Sequence, residues 1–218
     1  MLHPLPDLVA PAPALIFAAV CFALFLVLDR LVAHDQTRQF DRRWLTAPRY
    51  PSGKPRLGIG WAPVMRGLTQ LGGPVVRYAI AAPLALWLWH LGYPDSALWL
   101  VAALASGWIV DGVIKKTFKR KRPTLVPRLA RAGGPSFPSG HTLNASLVYC
   151  GLALAFAPVL GPTGLTAALI AALTLSLMVA FSRVWLGVHW PTDVTAGWLV
   201  GTGWWCLALA IGQCWLGH

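Results

Sequence analysis

Apolar residues in this chain run in long blocks, without the period-two or period-3.6 alternation that marks half-buried elements. Leu8–Leu28 and Tyr78–Pro94 contain no Lys, Arg, Asp or Glu, and Ser96–Ile114 contains only Asp111. Ala132–Ser182 is free of all four, but Gly161-Pro162-Thr163-Gly164 divides it in two, and Val194–Gly217 supplies the last block. Each is close to the roughly 20 residues that a bilayer-crossing helix needs. The pattern predicts an all-α polytopic membrane protein with six transmembrane helices, at about 11–33, 75–93, 96–115, 141–160, 165–185 and 192–214. The first block lacks a basic leader and exceeds the apolar core of a secretory signal, so it reads as a span. The chain is expected to form a single domain, 1–218, with the 34–74 loop an amphipathic surface segment carrying Trp44 and Trp61.

Composition agrees with this class. The chain has 218 residues, 56% hydrophobic and 11% charged, a balance foreign to a soluble domain. Cys21, Cys150, Cys206 and Cys214 fall inside apolar blocks at no metal or disulfide spacing and read as small buried hydrophobes. Gly197-x-x-x-Gly201 reads as a close-packing seam.

Charge sharpens the picture. Threading six helices puts the 34–74 loop, the 115–140 loop and the 186–191 turn on one face, and all 18 Lys and Arg lie in or beside them. The other face has Asp7 and Asp95. One consequence is topological, because basic loops favour the cytoplasm. Another is chemical: the cations can hold an anion. Nucleic acid is disfavoured, since KKTFKRKR at 115–122 abuts a membrane span and no nucleic-acid-binding fold surrounds it. A phosphate or headgroup ligand fits better.

Three spaced motifs fall on this face. Lys115 and Arg122-Pro123 form K-x6-RP, residues 138–141 read PSGH, and Ser182-Arg183, His189 and Asp193 form SR-x5-H-x3-D. Lys115 offers a mobile ammonium, and Arg122 and Arg183 offer planar forks suited to phosphate oxygens. Gly140 opens a helix N-terminus, where free N–H groups favour an anion, and Ser139 adds a hydroxyl. His141 is a candidate acid beside that anion. Asp193, one turn after His189, can accept its Nδ1 proton and leave Nε2 as a nucleophile. Taken singly, Lys115 and Arg122 could be snorkelling residues, either histidine an ordinary loop or cap residue, and Arg183 and Asp193 a simple pair.

Together the motifs resemble the type 2 phosphatidic acid phosphatase (PAP2) superfamily, over about Phe40 to Gly203. FDRRWL at 40–45 and LTQLGG at 68–73 also resemble the first outer loop of its bacterial members. The resemblance implies a phosphohistidine mechanism without a metal or other cofactor. His189 would attack phosphorus, Asp193 would orient it, and His141 would protonate the leaving group. Lys115, Arg122, Arg183, Ser139 and the Gly140 amide would hold the phosphoryl oxygens. It further implies a lipid phosphate substrate of the undecaprenyl diphosphate, phosphatidylglycerophosphate, phosphatidate or lipid A type. The implied place is a bacterial inner membrane with the site on its periplasmic face, against the charge rule. A lipid phosphotransferase, a vanadium haloperoxidase and a non-catalytic lipid-binding or transport protein remain as alternatives. Six spans argue against the haloperoxidase, and the paired histidines against pure binding. Lys116, Lys119, Lys121, Arg128 and Arg131 lie outside the motifs and read as headgroup contacts, while Arg120 stays undecided.

Overall fold

The computed structural model describes residues 11–216, and these form an all-helical bundle without strands. Asp7, assigned above to the non-basic face, lies outside the described residues. The helices are α1 (Pro11–Ala33), α2 (Arg38–Thr46), α3 (Ala62–Gln70), α4 (Pro74–His90), α5 (Pro94–Thr117), α6 (Gly140–Ala155), α7 (Ala157–Trp185) and α8 (Pro191–Leu216), with one 3₁₀ turn at Ile59–Trp61.

All six expected spans have a helical counterpart, although only α1, α5, α7 and α8 are individually long and apolar enough to cross a bilayer. The turn at 59–61, α3 and α4 qualify together as one span bent by 47°. α6 stops at Ala155, so its 16 residues rise only about 24 Å at 1.5 Å per residue. The break expected at 161–164 appears as Gly161, at φ 66°, between two helical pieces of α7. Pro162, which cannot donate to the preceding turn, fixes that position.

Packing follows small residues. α1 buries Ala14, Ala18, Cys21 and Phe25, one stripe at helical spacing, against α8, and leaves Leu15, Ile16 and Phe17 outward. α6 lies between α7 and α8 and is buried along most of its length. Its contact with α8 uses the expected glycine seam: a Cβ on Gly197 would collide with the Ser139 carbonyl, and one on Gly201 would sit 2.6 Å from Leu143 O. In lipid, association depends on close backbone approach more than on apolar burial, which is the physical use of such a pair. Cys21, Cys150 and Cys206 are buried thiols, whereas Cys214 is exposed.

The 34–74 segment is mostly helical. α2 turns Phe40 and Trp44 outward and buries Asp41 and Leu45. α3 packs Ala62 and Met65 on Trp185, Leu186 and Val188, the end of α7 and the turn after it. The C-terminal ends of α5 and α7 and the N-terminal ends of α6 and α8 therefore meet on one face, with α2 and α3 beside them.

Candidate active site at the basic face

The three motifs meet in that corner. Lys115 ends α5, Arg122 lies in the following loop, Gly140 and His141 open α6, Arg183 ends α7, and His189 precedes α8. These six side chains or backbones line a cavity of about 330 Å³, closed on its other side by Arg131–Pro135 and Pro138. Ser139 and Asp193 stand behind the wall and are fully buried. The Ser139 amide donates to Asp193 O at 2.9 Å, and its hydroxyl accepts from Thr142 Oγ1 at 3.1 Å.

Each cation is held in a distinct way. Arg122 is clamped by carbonyls: Nη1 donates to Val188 O (2.8 Å), Nη2 to Gly133 O (2.7 Å) and Pro135 O (3.2 Å), and Nε to Gly134 O (3.1 Å). Arg183 donates Nη1 to Thr69 Oγ1 at 2.7 Å, while its buried Nε has no partner within the protein. Lys115 pairs with Asp111 Oδ2 at 2.7 Å, one turn deeper on α5, and Asp111 Oδ1 is buried without a partner. Gly140 makes room for that ammonium, since a Cβ there would collide with Lys115 Nζ.

His189 is buried, and its ring faces a cation. Arg122 Nη1 lies 3.0 Å from Nε2. A guanidinium only donates, so Nε2 accepts, and the neutral ring carries its proton on Nδ1. Nδ1 points to Asp193 Oδ2 at 3.4 Å, beyond ordinary hydrogen-bond length. Burial pushes the His189 pKa down to about 4, with Arg183 and Arg122 adding to this and Asp193 opposing it. The imidazole is thus neutral near pH 7, with its lone pair on the nitrogen at the cavity.

Asp193 is fixed by more than His189. Its Oδ2 accepts the Trp190 amide at 2.9 Å, and Oδ1 accepts Arg120 Nη1 at 2.7 Å. Arg120, undecided from sequence, is therefore part of the site's support. Arg131, read as a headgroup contact, also lines the cavity, because the loop after Pro123 folds back over it. Arg128 donates Nε to Pro123 O at 3.1 Å and remains exposed. Thr69 lies inside LTQLGG, and Asp111 stands four residues before Lys115, the spacing of a helical ion pair.

Four cationic side chains, a helix N-terminus and the neutral His189 ring around one cavity can bind a tetrahedral oxyanion and present a nitrogen to its central atom. Among the described residues, no group of three or more His, Cys, Asp or Glu is placed to hold a metal ion.

Fold and site together define an integral membrane helical protein with a cation-lined cavity at one end of its bundle. The chain belongs to the PAP2 superfamily, whose sequence profile matches residues 96–214. It is 30% identical over 141 residues to phosphatidylglycerophosphatase B of Bacillus subtilis (strain 168), covering 63% of this chain and 68% of that protein. Over 67 residues it is 40% identical to an undecaprenyl-diphosphatase of Sulfolobus acidocaldarius, 31% of this chain and 29% of that one. Its fold matches the crystal structure of a transmembrane PAP2-type phosphatidylglycerolphosphate phosphatase from Bacillus subtilis with a TM-score of 0.74 at 25% identity. That match covers 92% of this chain and 94% of the other.

Proposed function

We propose that this protein is a membrane lipid phosphatase that hydrolyses a phosphate or diphosphate monoester through a phosphohistidine. The observation that carries the proposal is the tautomer of His189: Arg122 occupies the acceptor side of Nε2, which requires the lone pair to be there. The oxyanion enters the cavity, where Lys115, Arg122, Arg183 and the Gly140 amide take its oxygens, with Ser139 supporting the turn. On binding, the phosphoryl group replaces Nε2 as the partner of Arg122. Nε2 then forms the P–N bond as the P–O bond to the lipid breaks. His141, which lines the same cavity and takes up a proton as the phosphate anion enters, delivers that proton to the departing oxygen. In the second half, His141 takes a proton from water as that water attacks the phosphohistidine, releasing phosphate and restoring both rings. Asp193 balances the positive charge that develops on His189.

The donor set explains why the reading needs no metal: charge on the phosphoryl oxygens is met by Lys and Arg. The relatives are named for different lipid phosphates, so the common substrate is a phosphate at the end of a long apolar chain. Such a substrate reaches the bundle from within the bilayer, its phosphate at the level of the basic face. The natural setting of this reading is a bacterial inner membrane with the cavity towards the periplasm. Phosphate release by purified protein tests it. Wild type should release phosphate from phosphatidylglycerophosphate or an isoprenyl diphosphate, and His189→Ala should release none while remaining folded in detergent. Wild-type turnover by His189→Ala would overturn it.

A further inference from the structure

Asp41 sits on the surface helix α2, far from the motifs in sequence, yet only 1% of its surface is exposed. Its Oδ1 accepts the Thr192 amide at 3.0 Å, in the first turn of α8. Its Oδ2 accepts Thr192 Oγ1 at 2.7 Å, Arg120 Nη2 at 2.6 Å and Thr37 Oγ1 at 3.2 Å. Arg120 uses its other nitrogen on Asp193 Oδ1 (2.7 Å) and Thr192 Oγ1 (2.8 Å), with its guanidinium 5.5 Å from the Trp190 ring centroid. One arginine is thus held between two buried carboxylates, and the second of these faces the nucleophile.

We infer that Asp41 and Arg120 are positioning residues for the reaction: a strut from α2 through Arg120 to Asp193 sets the orientation and charge that His189 experiences. This rests on the reading of His189 as nucleophile. The arrangement does more than staple α2 to α8. A staple needs only Asp41 and the end of α8, and the Thr192 amide and hydroxyl already provide that. Arg120 adds a rigid fork reaching the one carboxylate beside His189, and it is the only charged partner of Asp193 Oδ1 among the described residues. α2 carries Phe40 and Trp44 on its outer side, so the element that braces the nucleophile also presents an exposed aromatic face.

The charges around His189 fix the direction of the test. Asp193 of α8 stabilises its protonated form. Arg183 of α7, Arg122 of the loop, His141 of α6 and, across the cavity, Lys115 of α5 oppose it. Arg66, on α3, is turned to Leu129 O at 3.3 Å. Removing Arg120 takes a positive charge from Asp193. Asp193 then acts more strongly on His189 and favours its protonated ring, which moves the acidic limb of the rate profile upward. Asp41→Asn leaves Arg120 to Asp193 alone and gives no upward move.

The experiment is a pH–rate profile with a soluble short-chain phosphate monoester, for wild type, Arg120→Gln, Asp41→Asn, Asp41→Glu and His189→Ala, each checked for a single folded species in detergent. Arg120→Gln should lose about 10- to 100-fold in kcat, the scale for residues that orient a reacting group's partner, with its acidic limb raised. Asp41→Asn should lose about 10-fold in kcat with KM within about twofold and no raised limb, and Asp41→Glu should recover part of that loss. Thr192→Val, which deletes the bridging hydroxyl at equal volume, carries the same expectation as Asp41→Asn if a charge variant does not fold. Unchanged kcat and limb in Arg120→Gln and Asp41→Asn, with His189→Ala inactive, overturn the strut alone. Losses confined to thermal stability do the same. Wild-type turnover by His189→Ala overturns the site reading beneath it.

Discussion

Gly140 is where the smallest change should have a large effect. An alanine methyl at this position would collide with Lys115 Nζ and would lie 3.0 Å from its Cε and 3.2 Å from Asp111 Oδ2. The lysine is the movable party, so its ammonium must leave the mouth of α6. The helix itself should not object, since alanine is about 1 kcal/mol better than glycine in a helix. Gly140→Ala is therefore a lysine displacement in a folded protein. Losing one preorganised donor costs on the order of 10²–10³ in rate, or about 2.7–4 kcal/mol, and kcat/KM should fall by that much. Lys115→Ala should fall equally. The double variant should be no worse than either single, because both remove the same interaction. Initial-rate kinetics on the three variants, alongside thermal unfolding in detergent, measure this. Wild-type kcat/KM in Gly140→Ala, or losses that multiply in the double variant, would refute the reasoning.

Other expectations follow from the same geometry. His189 is held down to about pH 4 by burial, and its protonated ring has no lone pair at Nε2. The acidic limb of kcat/KM should therefore lie near pH 4, below the usual histidine value of 6.5. The limb of kcat should lie higher, because bound phosphate favours the imidazolium; a kcat/KM limb at 6.5 would contradict the buried neutral ring. Turnover should survive excess chelator and be inhibited by vanadate, and a chelator-sensitive rate restored by a divalent ion would contradict the metal-free reading. Alanine at Arg122 should cost on the order of 10²–10³ in kcat/KM. Lys116, Lys119 and Lys121 should each contribute about 1 kcal/mol through KM, screened by salt; equal losses at all four would remove the distinction.

The site residues of the motifs could be found from sequence because all but Arg122 lie within two residues of a helix end, and ends are set by local signals. Gly140 follows Pro138-Ser139, Pro191 opens α8, and Lys115 and Lys116 close α5. Alternating six spans then brings those ends to one face without any knowledge of packing. The support of the site had no such signal. Asp41 and Thr192 are 151 residues apart, and Arg120 and Asp193 are 73 apart, so only the folded chain shows that they share hydrogen bonds. The place of Arg131 at the cavity was illegible for a related reason: it follows from the path of the loop, which residue spacing does not give. The span count was firm for α1, α5 and α8, where apolar length alone decides. It was soft for α4 and α6, which are short, and at Gly161, where one helix bends.

The most direct test of the account is chemical capture of the intermediate. Wild-type protein turning over a lipid phosphate is quenched in alkali, where phosphohistidine persists, digested, and sequenced by mass spectrometry. The account predicts a phosphoryl group on His189 that is acid-labile and absent from His189→Ala. A phosphoryl group on another residue, with His189 unmodified throughout turnover, would contradict it.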